Sequence, residues 1–245
     1  MSENIILIDK TDSTNELAKE FLKRKEYSLP FIVQSLFQTK GKGQYDKSWE
    51  SNAKENLLMS LVIKAPPIDI EKQFDISKAV AVAILKVLSN YTEQKVSIKW
   101  PNDIYVNDNK ISGVLIENTI VGKKIDVCVV GIGLNINQTQ FSSNIPNPVS
   151  LKQLAEKSFN ISRIRDELVE EINNQIKDIQ QVGLFYLQNL YKKDFLSRFV
   201  DNKEKEFFGV ILGVNEVGLL KVRLENKIVR TFANNEIRFL LPEMN

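Results

Sequence analysis

The sequence predicts an α+β fold: a mixed, largely antiparallel sheet with packed helices, followed by a small C-terminal β-barrel. Three observations carry this. From Asp75 to Ser89 the apolar residues recur at three-to-four spacing, which marks an amphipathic helix. Between Val96 and Leu134 they come instead as short runs broken by turn residues, which marks strands in quick succession. From Phe207 the apolar period drops to two, and short strands are expected at 207–213, 218–224 and 228–233, with turns at Asn215-Glu216 and Asn226-Lys227.

The elements follow in order. Asn4–Ile8 reads as a strand. Asp12-Ser13-Thr14-Asn15-Glu16 opens a helix, with Ser13 and Glu16 at capping-box spacing and Leu17, Ala18, Phe21 and Leu22 on one face. Phe31–Leu36 is a second strand, and Gln38–Lys54 is a polar Gly/Lys stretch. Leu57–Ile63 is a strand stopped by Pro66-Pro67. After the 75–89 helix come strands at 96–100, 104–106, 110–117 and 125–134. A tight turn at Asn107-Asp108-Asn109 and a longer one over 118–124 join them. A polar loop runs to about Ser150, and Leu151–Ser158 is a short helix. Ser162 caps a longer helix carrying Ile164, Leu168, Ile172, Ile176 and Ile179, which ends at Gly183. Leu184, Leu187, Tyr191, Phe195 and Phe199 continue the helical spacing in another.

Composition narrows the chemistry. The 245 residues contain no histidine, which removes imidazole acid–base catalysis, Ser-His-Asp and Cys-His pairs, and histidine metal ligands. The one cysteine, Cys128, lies in an apolar run and reads as a buried small hydrophobe. It allows no intrachain disulfide and no cysteine zinc site. With 33 Lys+Arg against 31 Asp+Glu there is no broad basic field for nucleic acid. No apolar run reaches membrane length, and the first ten residues lack a secretory pattern, so a cytoplasmic protein without membrane contact is expected. The chemistry falls to Lys, Arg, carboxylates, amides, hydroxyls and backbone N–H groups.

The scarce residues cluster. There are ten glycines against roughly seventeen expected at average usage. Five of them are Gly41, Gly43, Gly113, Gly131 and Gly133, and both tryptophans, Trp49 and Trp100, lie beside such segments. In the Gln38–Trp49 loop glycines alternate with lysines, which suits an anion nest with added ammonium charge, although the spacing is not that of a P-loop. Taken alone it reads first as a solvated loop anchored by Trp49. Lys99-Trp100-Pro101-Asn102-Asp103 followed by Lys110-Ile111-Ser112-Gly113 brings a carboxylate and a lysine together across a hairpin. Alone, that is either a polar site for magnesium and phosphate or an ordinary ion pair. Val130-Gly131-Ile132-Gly133-Leu134-Asn135 ends a buried strand in small residues and lacks the third glycine of a dinucleotide fingerprint. Asp12-Ser13-Thr14-Asn15 alone is a helix N-cap.

In this order and spacing these segments resemble the biotin–protein ligases, over nearly the whole chain. Phe208-Gly209-Val210-Ile211-Leu212-Gly213-Val214 and Gly218-Leu219-Leu220-Lys221-Val222 match the family's C-terminal pattern. The resemblance implies a class II synthetase-like biotin/lipoate ligase catalytic domain over 1–198 and an SH3-like C-terminal domain over 199–245. It implies ATP, Mg2+ and biotin as substrates and cation, no tightly bound redox cofactor, and a biotin carboxyl carrier protein domain as acceptor. It leaves the magnesium ligands unnamed and the choice between monomer and homodimer open. By matching position, Lys110, Lys42 and Asp103 are the implied catalytic residues. The implied biotin-binding residues are Ser13, Thr14, Asn15, Gln38, Gly41, Lys42, Gly43, Gln44, Lys110, Gly113, Gly131 and Gly133. For ATP they are Lys42, Lys47, Trp49, Asn102, Lys110 and Asn135.

The chain departs from the family loop, which usually reads Gly-Arg-Gly-Arg-Arg-Gly-Arg. Lys42, Gln44, Tyr45 and Lys47 replace arginines, and Asp46 replaces a glycine. Lysine keeps the charge and loses the bidentate fork, which implies looser retention of the adenylate. The first strand lies a few residues before Asp12, leaving no room for the winged helix that many members carry, so no operator binding is expected. A lipoate–protein ligase lacks support, since neither the Arg-Arg and Gly-Gly-Gly loop nor its histidine is present. A non-catalytic biotin or nucleotide sensor would not need Lys110, Asp103 and Lys42 together.

Overall fold

The computed structural model describes residues 4–45 and 47–240, so Asp46 lies outside the described residues. A seven-stranded sheet in the order β1-β2-β3-β7-β6-β5-β4 forms the larger layer. Its strands are β1 (Asn4–Ile8), β2 (Phe31–Ser35), β3 (Leu57–Lys64), β4 (Val96–Lys99), β5 (Asp103–Val106), β6 (Asn109–Val121) and β7 (Lys124–Leu134). β1 and β2 are parallel because helix α1 (Thr14–Arg24) crosses between them, and every other pair is antiparallel. This is the mixed α+β architecture that the sequence predicts.

Both faces of the sheet are covered, and strand alternation decides what each receives. On one face Ile32, Met59, Leu61, Cys128 and Val130 meet α2 (Phe74–Ser89) and Ile164, Leu168 and Ile172 of α4 (Ile161–Lys177). Each fully buried side chain of this size contributes about 1.5–3 kcal/mol relative to exposure. On the other face Phe31, Val33, Val62, Val127 and Val129 pack on Ala18 and Phe21 of α1. In β7 the alternation that puts Val127 and Val129 on the α1 face continues to Gly131 and Gly133. Side chains fill that face at one end of the strand and vanish at the other, where a hollow is left.

A second sheet, antiparallel throughout, has the order β11-β10-β9-β8-β12. Its strands are β8 (Leu196–Asp201), β9 (Glu206–Val214), β10 (Leu220–Leu224), β11 (Val229–Phe232) and β12 (Ile237–Phe239). Phe199 stacks on Phe207 at 5.6 Å between ring centroids, and Phe207 on Phe232 at 5.8 Å. The sheet docks on the first through Gly218, whose carbonyl accepts from Trp100 Nε1 at 2.8 Å. Phe74 lies so close that a Cβ on Gly218 would stand 2.4 Å from its ring, and the φ of +89° there also favours glycine. Among the described residues no helix is long and apolar enough to cross a membrane.

The structure corrects several elements. Phe199 is in a strand, not a helix: α5 (Val182–Gln188) stops early, and β8 starts at Leu196, so that strand straddles the expected 198/199 boundary. The spacing of four in Tyr191, Phe195 and Phe199 misled because the helix does not continue: Tyr191 and Phe195 lie in the turn between α5 and β8, and only Phe199 is in the strand. Phe195 is 65% exposed, where a helix would have buried it with its partners. Gly183 does not end a helix but lies inside α5, and α4 ends at Lys177. The cap of α4 is Asn160, whose side chain accepts from Arg163 N at 3.1 Å, rather than Ser162. The capping box forms at Ser150 and Gln153 of α3 (Leu151–Ala155), not at Ser13, whose side chain makes no cap bond. Residues 118–121 and 124 extend β6 and β7, leaving a turn at Gly122-Lys123 with Gly122 at φ +62°. The polar Asn118 and Thr119 looked like turn residues because that end of the hairpin projects into solvent.

Candidate active site

The hollow at Gly131 and Gly133 is the floor of a cavity of about 730 Å3 on the α1 face of the sheet. Seven segments converge on it: the start of α1, the Gly/Lys loop, β3 at Met59, the β4–β5–β6 hairpins, the end of β7, the 141–148 loop and the turn after β11 at Asn234. All the residues implied as catalytic, biotin-binding or ATP-binding line it except Gly41.

One end is built of hydroxyls and amides. Thr14 N donates to Gln38 Oε1 at 2.7 Å, which ties the α1 N-terminus to the root of the loop. Ser60 Oγ, fully buried on β3, lies 2.8 Å from Thr14 Oγ1 and 2.5 Å from Asn15 Oδ1. Asn15 Nδ2 reaches Glu117 Oε2 at 2.8 Å and the Leu115 carbonyl at 3.3 Å. The Asn15 amide is therefore spent on the protein, and the residue is a brace. Its Oδ1 would lie 2.2 Å from a Cβ on Gly131, so the glycine is what admits the brace.

The other end is charged. Lys110 Nζ is 2.6 Å from Asp103 Oδ1 and 5.6 Å from the centroid of the Trp49 ring. The β5–β6 register sets Asp103 opposite Gly113, and the bulge beyond Ile104 turns Lys110 toward both. Trp49 lies over Gly113 and Gly133, its Nε1 buried and without a partner among the described residues. Asn102 Nδ2 bonds the Val114 carbonyl, and Asn135 Nδ2 bonds that of Val149 at 3.1 Å. Each keeps one side on the cavity, while its amide nitrogen fixes a loop.

The Gly/Lys loop closes on itself. Gly43 N donates to the Lys47 carbonyl at 2.6 Å and Trp49 N to that of Gly41 at 2.8 Å. Gly41 does not line the cavity, contrary to expectation: a Cβ there would stand 2.4 Å from the Trp49 carbonyl, so it allows the hairpin's two arms to touch. Asp12 fastens the root by accepting from Thr39 and Lys40. Those two bonds hold its carboxyl below the usual carboxylate range. Lys42 Nζ is 2.6 Å from Glu16 Oε1, and the Lys42 and Lys19 ammoniums hold the Glu16 carboxyl low. The loop's leading cation thus rests on α1 rather than over the glycine floor.

The description "Biotin/lipoate A/B protein ligase family" fits residues 7–135, which contain all these segments up to Asn135. The chain belongs to the biotin/lipoate A/B protein ligase family. It is 27% identical to the bifunctional ligase/repressor BirA of Escherichia coli over 245 aligned residues, 96% of this chain and 73% of that one. It is 24% identical to BirA of Bacillus subtilis over 95% of this chain and 73% of that one. The biotin protein ligase from Aquifex aeolicus in complex with biotin and ATP shares the fold, with a TM-score of 0.79 at 23% identity over 97% and 98% of the two chains.

In this ligase family member some site residues escaped the sequence reading. Ser60 had a signal, being the one polar residue inside Leu57–Ile63. Phe141, Ile145 and Asn234 also line the cavity, and only tertiary structure brings them there.

Lys99 is the other unexpected group. Its Nζ donates to Tyr105 Oη at 2.9 Å and lies 4.7 Å from the Tyr105 ring and 5.4 Å from that of Phe239. Burial pushes the amine down to about 8. Asp103 pulls the other way, while Lys110, Lys47 and Lys192 add to the depression. A lysine whose folded value lies below its unfolded one destabilises the fold while both states are protonated, below about 8. That penalty fades as pH rises toward the unfolded value. Lys99→Met is therefore expected to raise Tm at pH 7, by up to about 3 kcal/mol of stability. The gain should shrink steadily between pH 8 and 10.5. Thermal melts of both proteins across that range check it, and a gain independent of pH would contradict it.

Proposed function

We propose that this chain is an ATP-dependent biotin–protein ligase. It joins biotin to MgATP as biotinyl-5′-AMP with release of pyrophosphate, then passes biotin to a lysine of a biotin carboxyl carrier protein domain with release of AMP. One observation carries the reading: a single cavity has a neutral end of hydroxyls and amides and a cationic end with Lys110, joined by a glycine floor. The ureido ring of biotin is neutral and suits Ser13, Thr14 and Gln38. The valeryl chain suits the floor at Gly131, between the Asn15 brace and the Trp49 ring seated on Gly133. The carboxylate then reaches the cationic end, where a nucleotide α-phosphate meets it.

The biotin carboxylate oxygen attacks the α-phosphorus, and the bond to pyrophosphate breaks. Lys110 faces the negative charge that grows on the phosphoryl oxygens. Lys42 and Lys47 supply the remaining cations, and the ligand's anionic groups draw Lys42 away from Glu16. No proton transfer is needed in this first step, which agrees with a chain lacking histidine. Magnesium is brought in as MgATP, with phosphate oxygens and water among its ligands. In the second step Asp103 draws in the acceptor ammonium, the lysine sheds a proton and attacks the anhydride carbonyl as the neutral amine, and the carbonyl–phosphate C–O bond breaks to release AMP. The catalytic unit is β1–β7 with α1–α5, and the C-terminal unit begins with β8.

The test is biotin-dependent ATP–pyrophosphate exchange on purified protein, with lipoate in parallel. Exchange with biotin alone supports the proposal. Exchange with lipoate alone moves the chain to the lipoate branch of the family, and exchange with neither, on folded protein, overturns catalysis.

A further inference from the structure

We propose that Asn234, in the turn between β11 and β12, is a positioning residue that holds the tip of the Gly/Lys loop over the cavity through Gln44. Asn234 Nδ2 donates to Gln44 Oε1 at 2.8 Å, across 190 residues of sequence, and both side chains line the cavity. The proposal rests on the adenylation reading above and adds a role for the C-terminal sheet within it.

The turn carrying Asn234 is built to be stiff. Ala233 N donates to Glu236 Oε2 at 2.8 Å, Glu236 N to the Ala233 carbonyl at 3.0 Å, and Asn202 N to the Glu236 carbonyl at 3.2 Å. The last of these fastens it to the turn after β8. The loop has a fixed root at Asp12 and a shape fixed by its own backbone bonds. Neither sets the angle of the tip relative to the cavity. Besides the seat of Trp49 at its far end, two side-chain contacts among the described residues tie the part of the loop beyond Gly41 to the rest of the chain: Lys42 with Glu16, and Gln44 with Asn234. The first must break when Lys42 turns to the ligand. The second does not involve a cation and survives that step. With Trp49 holding the loop's far end, it is the hydrogen bond left at the tip to keep Lys42 and Lys47 over the phosphates, in a loop whose lysines have no bidentate fork to orient them.

The experiment uses the full chain and three variants: Asn234→Ala, Gln44→Ala and their combination. In ATP–pyrophosphate exchange each single change is expected to raise KM for ATP about three- to tenfold, the worth of one neutral hydrogen bond. kcat and KM for biotin should change less, and the double variant should be no worse than either single. The exchanged pair Asn234→Gln with Gln44→Asn keeps the summed side-chain length and should recover most of the loss. Trypsin cleavage at Lys42 and Lys47 without ligand should quicken in both single variants and slow again in the exchanged pair, while Tm stays near that of the parent. An unchanged KM for ATP with unchanged cleavage, or additive effects in the double variant, overturns the latch. Should Asn234→Ala fail to fold, Gln44→Ala tests the same bond from a loop outside both cores. If the parent shows no exchange, the adenylation reading fails, and the cleavage rates still decide the contact.

Discussion

Lys110→Ala is expected to lower the rate of biotin-dependent adenylation by about 10²- to 10³-fold, with a much smaller change in KM for biotin. The size follows from where the charge is held. The Lys110 backbone is tied on both sides, its N–H to the Asn147 carbonyl at 2.7 Å and its carbonyl to Val149 N at 2.9 Å. Its side chain is then aimed by Asp103 at 2.6 Å and by the Trp49 ring. A cation fixed in this way needs little reorganisation when negative charge grows at the α-phosphorus, so its removal falls on the transition state more than on the bound substrate. Removal also leaves Asp103, already 22% exposed, facing incoming phosphate without its partner. Lys110→Arg keeps the charge and changes its shape, and should fall between the parent and alanine. Single-turnover formation of the adenylate measures all three. A rate for Lys110→Ala within a few-fold of the parent would take this residue out of the chemical step.

Much of this was legible in the sequence because period and chemistry agreed. The 75–89 helix, the strands from 96 to 134 and the glycine positions 131 and 133 each follow from a single repeating pattern. The hollow was implicit in that pattern: the face carrying Val127 and Val129 is the face on which Gly131 and Gly133 leave a gap. What the sequence hid falls into two kinds. Where apolar residues of a turn and a strand happen to fall at helical spacing, as with Tyr191, Phe195 and Phe199, only tertiary packing shows that no helix continues. Where a contact spans the fold, as from Ser60 to Thr14 or from Asn234 to Gln44, neither partner has a local reason to stand out. Two residues carry structural work that the sequence did not show. Asn15, which lines the cavity, also braces it through bonds to Glu117 and Leu115, and Gly41 lets the loop's arms meet. A resemblance by position shows that such residues matter but does not distinguish touching a ligand from holding the residue that does.

Gly133→Ala and Gly131→Ala are expected to separate the two ends of the cavity. A Cβ at 133 would stand 2.3 Å from Trp49 Cε2 and 2.6 Å from its Nε1, so the indole must leave its seat. It cannot slide along the floor, because a Cβ at Gly113 would already be 3.0 Å from Trp49 Cζ3, which shows how closely the ring is held on that side too. Overpacking of this kind costs about 1–3 kcal/mol, or roughly five- to 150-fold in binding. For Gly133→Ala the loss should appear in KM for ATP, accompanied by a red shift of tryptophan emission as the indole meets water. At 131 the added carbon would strike Asn15 Oδ1 at 2.2 Å, dislodging the brace that faces Ser60 and Thr14. Gly131→Ala should therefore raise KM for biotin, with emission unchanged. Gly183→Ala is the control: nothing lies within 4 Å of its Cβ position, and it sits in α5, where alanine is the better helix former. Equal effects of the 131 and 133 substitutions on both substrates would mean that the glycine floor does not divide the cavity between them. A Gly133→Ala protein with parental emission would mean that Trp49 does not rest on it.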